Sequence, residues 1–68
     1  MNVMLNGERV QLVPYATIVD VVAKVGIEAD ARGVAVAIDG EVLPRADWAR
    51  RELREGERVE VVHAVQGG

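Results

Sequence analysis

The chain opens on alternating positions: Met1, Val3 and Leu5 fall on one side, Asn2 and Met4 on the other, and the alternation resumes after Asn6-Gly7 with Val10 and Leu12. Asn-Gly suits a type I′ turn, whose two central residues both need positive φ, so this spacing predicts a tight hairpin. A two-residue turn sets Leu5 opposite Glu8, Val3 opposite Val10 and Met1 opposite Leu12, which gathers the large apolar residues on one face.

Pro14 closes the second strand, and the period then changes. Thr17 is placed to cap a helix with Asp20 three residues on, a capping-box variant that also suits the positive end of the helix dipole. Ile18, Val21, Val22 and Val25 follow at i, i+3, i+4 and i+7, with Lys24 in the last turn and Gly26 just past it. Valine is a mediocre helix former, so this short helix depends on packing its stripe against a sheet.

After a polar connection, Val34-Ala35-Val36-Ala37-Ile38 reads as a strand with large residues on one face and alanines on the other. Asp39-Gly40 is a second I′ pair and sets Val36 opposite Leu43, while Pro44 confines the strand it ends to a short or edge position. The charged segment 45–52 contains Trp48. Leu53 and a turn at Glu55-Gly56 lead into a last strand in which Val59 and Val61 face one way, Glu60 and Val62 the other. The order is β-β-α-β-β-β, which predicts an α+β mixed sheet of four to five strands with one helix packed on one face. The final strand is expected at the centre, parallel to the first.

Composition narrows the chemistry. A chain of 68 residues buries only about 60% of the surface its unfolded form exposes, too little for a second domain or a deep catalytic cleft. Phe is absent and the aromatics are Tyr15 and Trp48, both expected to lie over the core, which falls to valine, leucine, isoleucine and alanine. Eleven acidic against eight basic residues give a net charge of −3, and Lys24 is the only lysine; this argues against a nucleic-acid partner. Lys24 is expected to be a solvated cation, and Arg50, Arg51, Glu52, Arg54 and Glu55 a solvated, internally balanced surface. No apolar run approaches the ~20 residues of a membrane span and no signal-peptide pattern precedes the first strand, so a cytoplasmic location without membrane association is expected. With no cysteine and one histidine, His63, neither a thiolate metal site nor a zinc centre can be assembled. No triad can be drawn around His63, for which a structural role is expected.

The remaining chemistry lies at the C-terminus. Val65-Gln66-Gly67-Gly68 follows the last strand, dividing the chain into a folded body, residues 1–63, and a flexible tail, residues 64–68. Glycine lacks a Cβ, so a diglycine passes through a channel too narrow for other residues. At ~3.3 Å per residue, an arm from Ala64 to Gly68 reaches about 16 Å. Val65 and Gln66 either guide that arm by strand-like backbone pairing or act as spacer. On the sheet face opposite the helix, Met4, Ala35, Ala37 and Val62 form an apolar patch, a candidate partner-binding surface.

Taken together, the opening Val3-Met4-Leu5-Asn6-Gly7-Glu8, the helix start Thr17-Ile18, the stretch from Val34 through Pro44-Arg45, Trp48, and the closing Ala64-Val65-Gln66-Gly67-Gly68 resemble the ubiquitin-like β-grasp sulfur carriers. The similarity is greatest to the thiamine-biosynthesis branch, the ThiS family. The resemblance implies a protein substrate rather than an enzyme, with no cofactor of its own. In that scheme an adenylating enzyme of the E1 type uses MgATP to activate the Gly68 carboxylate. A persulfide donor enzyme then supplies sulfur, and the thiocarboxylate passes it to thiazole synthase. The alternatives are a molybdopterin-type or other carrier of the same fold, or a ubiquitin-like interaction module that carries nothing.

Overall fold

The structure, a computed structural model, describes residues 1–28 and 30–64. The first strands, β1 (Asn2–Leu5) and β2 (Glu8–Gln11), form the expected hairpin, with Val3 opposite Val10 and Leu5 opposite Glu8. Asn6 and Gly7 take φ of 50° and 84°, the left-handed pair that a I′ turn requires. Leu12 donates its N–H to Met1 O at 2.7 Å, extending the register to the pair foreseen from spacing.

Helix α1 (Ile18–Lys24) begins at Thr17, whose backbone N–H donates to the Asp20 carboxylate at 2.8 Å. It ends in a Schellman arrangement: Gly26, at φ 84°, donates to Ala23 O and Ile27 to Val22 O, satisfying carbonyls the helix leaves open. Ile18, Val21 and Val22 are fully buried, whereas Val25, the fourth residue of the stripe, is partly exposed at the last turn.

Strands β3 (Val34–Ile38) and β4 (Glu41–Leu43) form the second hairpin with Val36 opposite Leu43, and β5 (Arg58–His63) completes the sheet. The order is β2-β1-β5-β3-β4, with β5 parallel to β1 and antiparallel to β3. This is the mixed five-stranded β-grasp arrangement expected from the sequence, with Pro44 leaving the sheet from an edge strand. The inward residues Val3, Leu5, Val36, Ile38, Val59 and Val61 pack with the helix stripe in one core.

The segment between β4 and β5 holds structure that carried no periodic signal. A short 3₁₀ helix, Arg45–Asp47, leads to Trp48, which is 3% exposed and donates its indole N–H to Leu43 O at 3.2 Å. The Arg45 guanidinium lies 4.5 Å from the Trp48 ring centroid and donates to Ala31 O, tying the polar connection after α1 to this lid. Leu53 donates its N–H to Ala16 O at 2.9 Å and is itself buried.

Two expectations are corrected. Tyr15 does not cover the core: it is 78% exposed at φ 68°. Pro14 has just ended the hairpin, and the left-handed step at Tyr15 reverses the chain so that Ala16, 2% exposed, enters the core in its place. Nor is the 50–55 run merely solvated. Arg51 is half-buried and bridges the Glu57 carboxylate, which also accepts the Arg54 N–H, and Glu55 accepts the N–H of Asn2. The hydrogen bond to Glu57 holds the Arg51 guanidinium above its ordinary pKa, its charge with that of Asp39 adding to the effect against burial.

Candidate functional site: the root of the C-terminal segment and the open sheet face

Strand β5 reaches the C-terminal residues from the middle of the sheet because its neighbours are β1 and β3. The β-branched Val59 and Val61 face the core, where they are 0% and 8% exposed. Their alternation leaves Glu60 and Val62 on the opposite face. Past His63, Ala64 still donates its N–H to Gly33 O at 2.8 Å. Gly33 sits at φ 75°, and a Cβ there would lie 2.9 Å from the Ala64 carbonyl oxygen. Only glycine combines that angle with that approach.

Val65, Gln66, Gly67 and Gly68, the residues proposed to thread and carry, lie outside the described residues. His63 ends β5 and is exposed, and Lys24 is exposed in the last helical turn. Among the described residues no polar or charged side chain is fully buried, and no three His, Cys, Asp or Glu residues are grouped to hold a metal ion. Among the same residues no helix is long and apolar enough to cross a membrane.

The patch expected from the sequence is only partly contiguous. Ala35 pairs with Val62, and Ala37 follows on the same strand, so three of its four residues adjoin. Met4 shares the face but sits between Arg9 and Arg58, its register partners on either side. The residue that completes the patch is Val42, opposite Ala37 and 76% exposed. Its position was readable: the Asp39-Gly40 turn fixes Ala37 opposite Val42, and residues paired across a hairpin share a face. The open face thus divides into an apolar half, Ala35, Ala37, Val42 and Val62, and a polar half around Arg9, Arg58 and Glu60.

One side chain at the root was read only as a turn former. The Asn6 carboxamide accepts the Val61 N–H at 2.8 Å and donates to Val61 O at 3.3 Å, satisfying both backbone groups of a β5 residue beyond the last β1 pair. Sequence spacing reveals the turn but not this reach across 55 residues.

Residues 3–68 match the sequence profile of the ThiS family. A protein called thiazole synthase from Paramagnetospirillum magneticum is 28% identical over all 68 residues, and the chain spans about 20% of that relative's length. The crystal structure of a thiamine biosynthesis protein (ThiS) from Geobacter metallireducens superposes with a TM-score of 0.78 at 26% identity, covering 100% of both chains. A solution structure of a thiamine biosynthesis protein from the same organism agrees in fold, with a TM-score of 0.75 at 24% identity, covering all of this chain and 88% of that one.

Proposed function

The chain belongs to the ThiS family, and from that premise we propose that it carries sulfur on the Gly68 carboxylate for assembly of the thiazole ring of thiamine. A carboxylate is a poor electrophile because resonance spreads its charge, so it must first acquire a leaving group. In the proposed sequence Gly68 attacks the α-phosphorus of MgATP on an adenylating partner, releasing pyrophosphate and forming an acyl-adenylate. The terminal sulfur of a donor persulfide then attacks the acyl carbon and AMP departs. Cleavage of the resulting acyl disulfide by a thiol leaves the thiocarboxylate, which thiazole synthase consumes.

The observation that carries this reading is the family match extending through Gly67-Gly68. The geometry supports it: β5 runs to the C-terminal segment from the sheet's centre, between two partner strands. The chain supplies presentation and its partners the chemistry, so it serves as protein substrate and not as catalyst. Similarity to a fifth of a protein named thiazole synthase supports a synthase as acceptor, since joining donor and acceptor in one chain raises their effective concentration. The apolar half of the open face is proposed to dock these partners, with Val65 and Gln66 leading the diglycine into their active sites.

The test is an intact mass after incubation with MgATP, the adenylating enzyme and a persulfide donor. A gain of about 16 Da, one oxygen replaced by sulfur in a covalent carrier intermediate, is expected, and a chain lacking Gly68 gains nothing. An unchanged mass for the full chain removes the proposal.

A further inference from the structure

The ladder between β1 and β5 is short. It pairs Met4 with Arg58 and Leu5 with Val59, then stops, because the chain turns away at Asn6-Gly7. The β3–β5 register alternates: Asp39 donates to Arg58 O and Ala64 to Gly33 O, so Arg58, Glu60, Val62 and Ala64 direct their backbone groups toward β3. Val59, Val61 and His63 direct theirs toward the hairpin side. Asn6 N–H serves Val59 O at 2.9 Å, and at Val61 the Asn6 side chain takes over as a substitute strand residue. Its orientation is chemically fixed, since the Val61 N–H requires the amide oxygen and the Val61 carbonyl requires the amide nitrogen.

The other end of β5 has a counterpart. Asp39, the first residue of the second I′ turn at φ 49°, accepts the Arg58 N–H through its carboxylate at 2.9 Å. Both turn residues therefore have two roles: a left-handed backbone and a side chain that completes β5. They act at opposite ends of the strand. Asp39 holds the entry at Arg58, and Asn6 holds the exit at Val61, three residues before Ala64.

We propose that Asn6 is a positioning residue for the carrier reaction: its carboxamide fixes the exit of β5, and with it the offset between the apolar docking patch and the segment that bears Gly68. This rests on the function proposed above. Val61 is the last β5 residue for which hydrogen bonds on the hairpin side are seen among the described residues. Without the carboxamide, the strand from Glu60 onward is held by β3 alone. The partner must then immobilise that stretch itself, which weakens productive engagement without touching the reacting atoms.

The test compares Asn6→Gly with Asp39→Gly. Each keeps its I′ turn, because glycine accepts positive φ, and each deletes the side chain that caps β5. At a temperature where both variants are folded, pyrophosphate release is followed with the adenylating enzyme and MgATP as carrier concentration is varied. Asn6→Gly is expected to raise the carrier KM about fivefold, the scale of one or two lost hydrogen bonds, with kcat held within about twofold of the parent value. Asp39→Gly leaves both parameters at parent values. In parallel, amide hydrogen exchange at Val61, Val62 and Ala64 accelerates in Asn6→Gly and not in Asp39→Gly. Equal behaviour of the two variants in turnover, or unchanged exchange at Val61 in Asn6→Gly, overturns the proposal. A parent chain that releases no pyrophosphate counts against the carrier function itself, and the exchange comparison then decides the role of Asn6 on its own.

Discussion

At the scale of single residues, backbone geometry and side-chain chemistry are often assigned to the same position. The sequence marked Asn6 and Asp39 as turn formers because short polar residues tolerate positive φ, and both angles are as expected. Their bonds to Val61 and Arg58 were not legible, since a side chain's reach depends on which strand lies beside it, and only the assembled sheet decides that. Tyr15 shows the reverse failure. An aromatic in a small valine-rich chain reads as core, yet the step that admits Ala16 sends the ring outward. Gly33 and Gly40 separate two costs that sequence cannot distinguish. Both have positive φ, but a Cβ at Gly40 meets nothing within 4 Å, whereas at Gly33 it meets the Ala64 carbonyl. Gly40→Ala is expected to lose about 1–2 kcal/mol for the left-handed angle alone. Gly33→Ala should lose clearly more and release Ala64 as well. Urea unfolding of the two variants checks the order; equal losses would mean that the Gly33–Ala64 approach relaxes freely.

At the scale of elements, hairpins and helix were legible because each is specified locally. Two I′ pairs set two registers, and a capping residue, an i, i+3, i+4 stripe and a terminal glycine set one helix, which the structure opens with the Thr17 N–H on Asp20 and closes with the Gly26 and Ile27 bonds. The segment from Arg45 to Glu57 was legible only in Trp48 over the core and the Glu55-Gly56 turn, because 3₁₀ turns and loop clasps follow no hydrophobic period; they rest on bonds such as Trp48 to Leu43 O and Arg51 to Glu57, which no repeat in the sequence announces. The seven-residue helix is too short to persist outside its packing, so its first turn carries disproportionate weight. Asp20→Ala, which removes the carboxylate that accepts the Thr17 N–H, is expected to cost about 1 kcal/mol. Chemical denaturation should show a lower midpoint with an unchanged slope, the mark of a weaker native state with the same buried surface.

At the scale of the whole molecule, one face of the sheet is covered by α1 and the other is open, and the open face is itself divided. Its apolar patch lies on β3, β4 and the distal part of β5, while Arg9 of β2 and Arg58 and Glu60 at the start of β5 surround Met4 on the other half. Alternation revealed which residues share the face, but the strand order that separates Met4 from the rest is a tertiary property. Val62 is 59% exposed, so Val62→Glu should leave folding intact while burying a charge in any complex formed there. Affinity for the adenylating enzyme, measured by calorimetry, is expected to fall about tenfold or more if the patch is a central contact. The same substitution at Arg9, on the charged side, should change little. Equal losses at both positions, or none at either, would separate the patch from docking.

The placement of β5 also governs how the molecule comes into being. The strand that joins the two hairpins is the last of the described elements to be synthesised, and the parallel pairing of Leu5 with Val59 spans most of the chain. Until that strand emerges from the ribosome, the nascent polypeptide holds two hairpins with no common neighbour, each marginal alone in water. Folding therefore waits on the emergence of β5, and a product cut short before residue 58 has no joined sheet to assemble and is left to proteolysis.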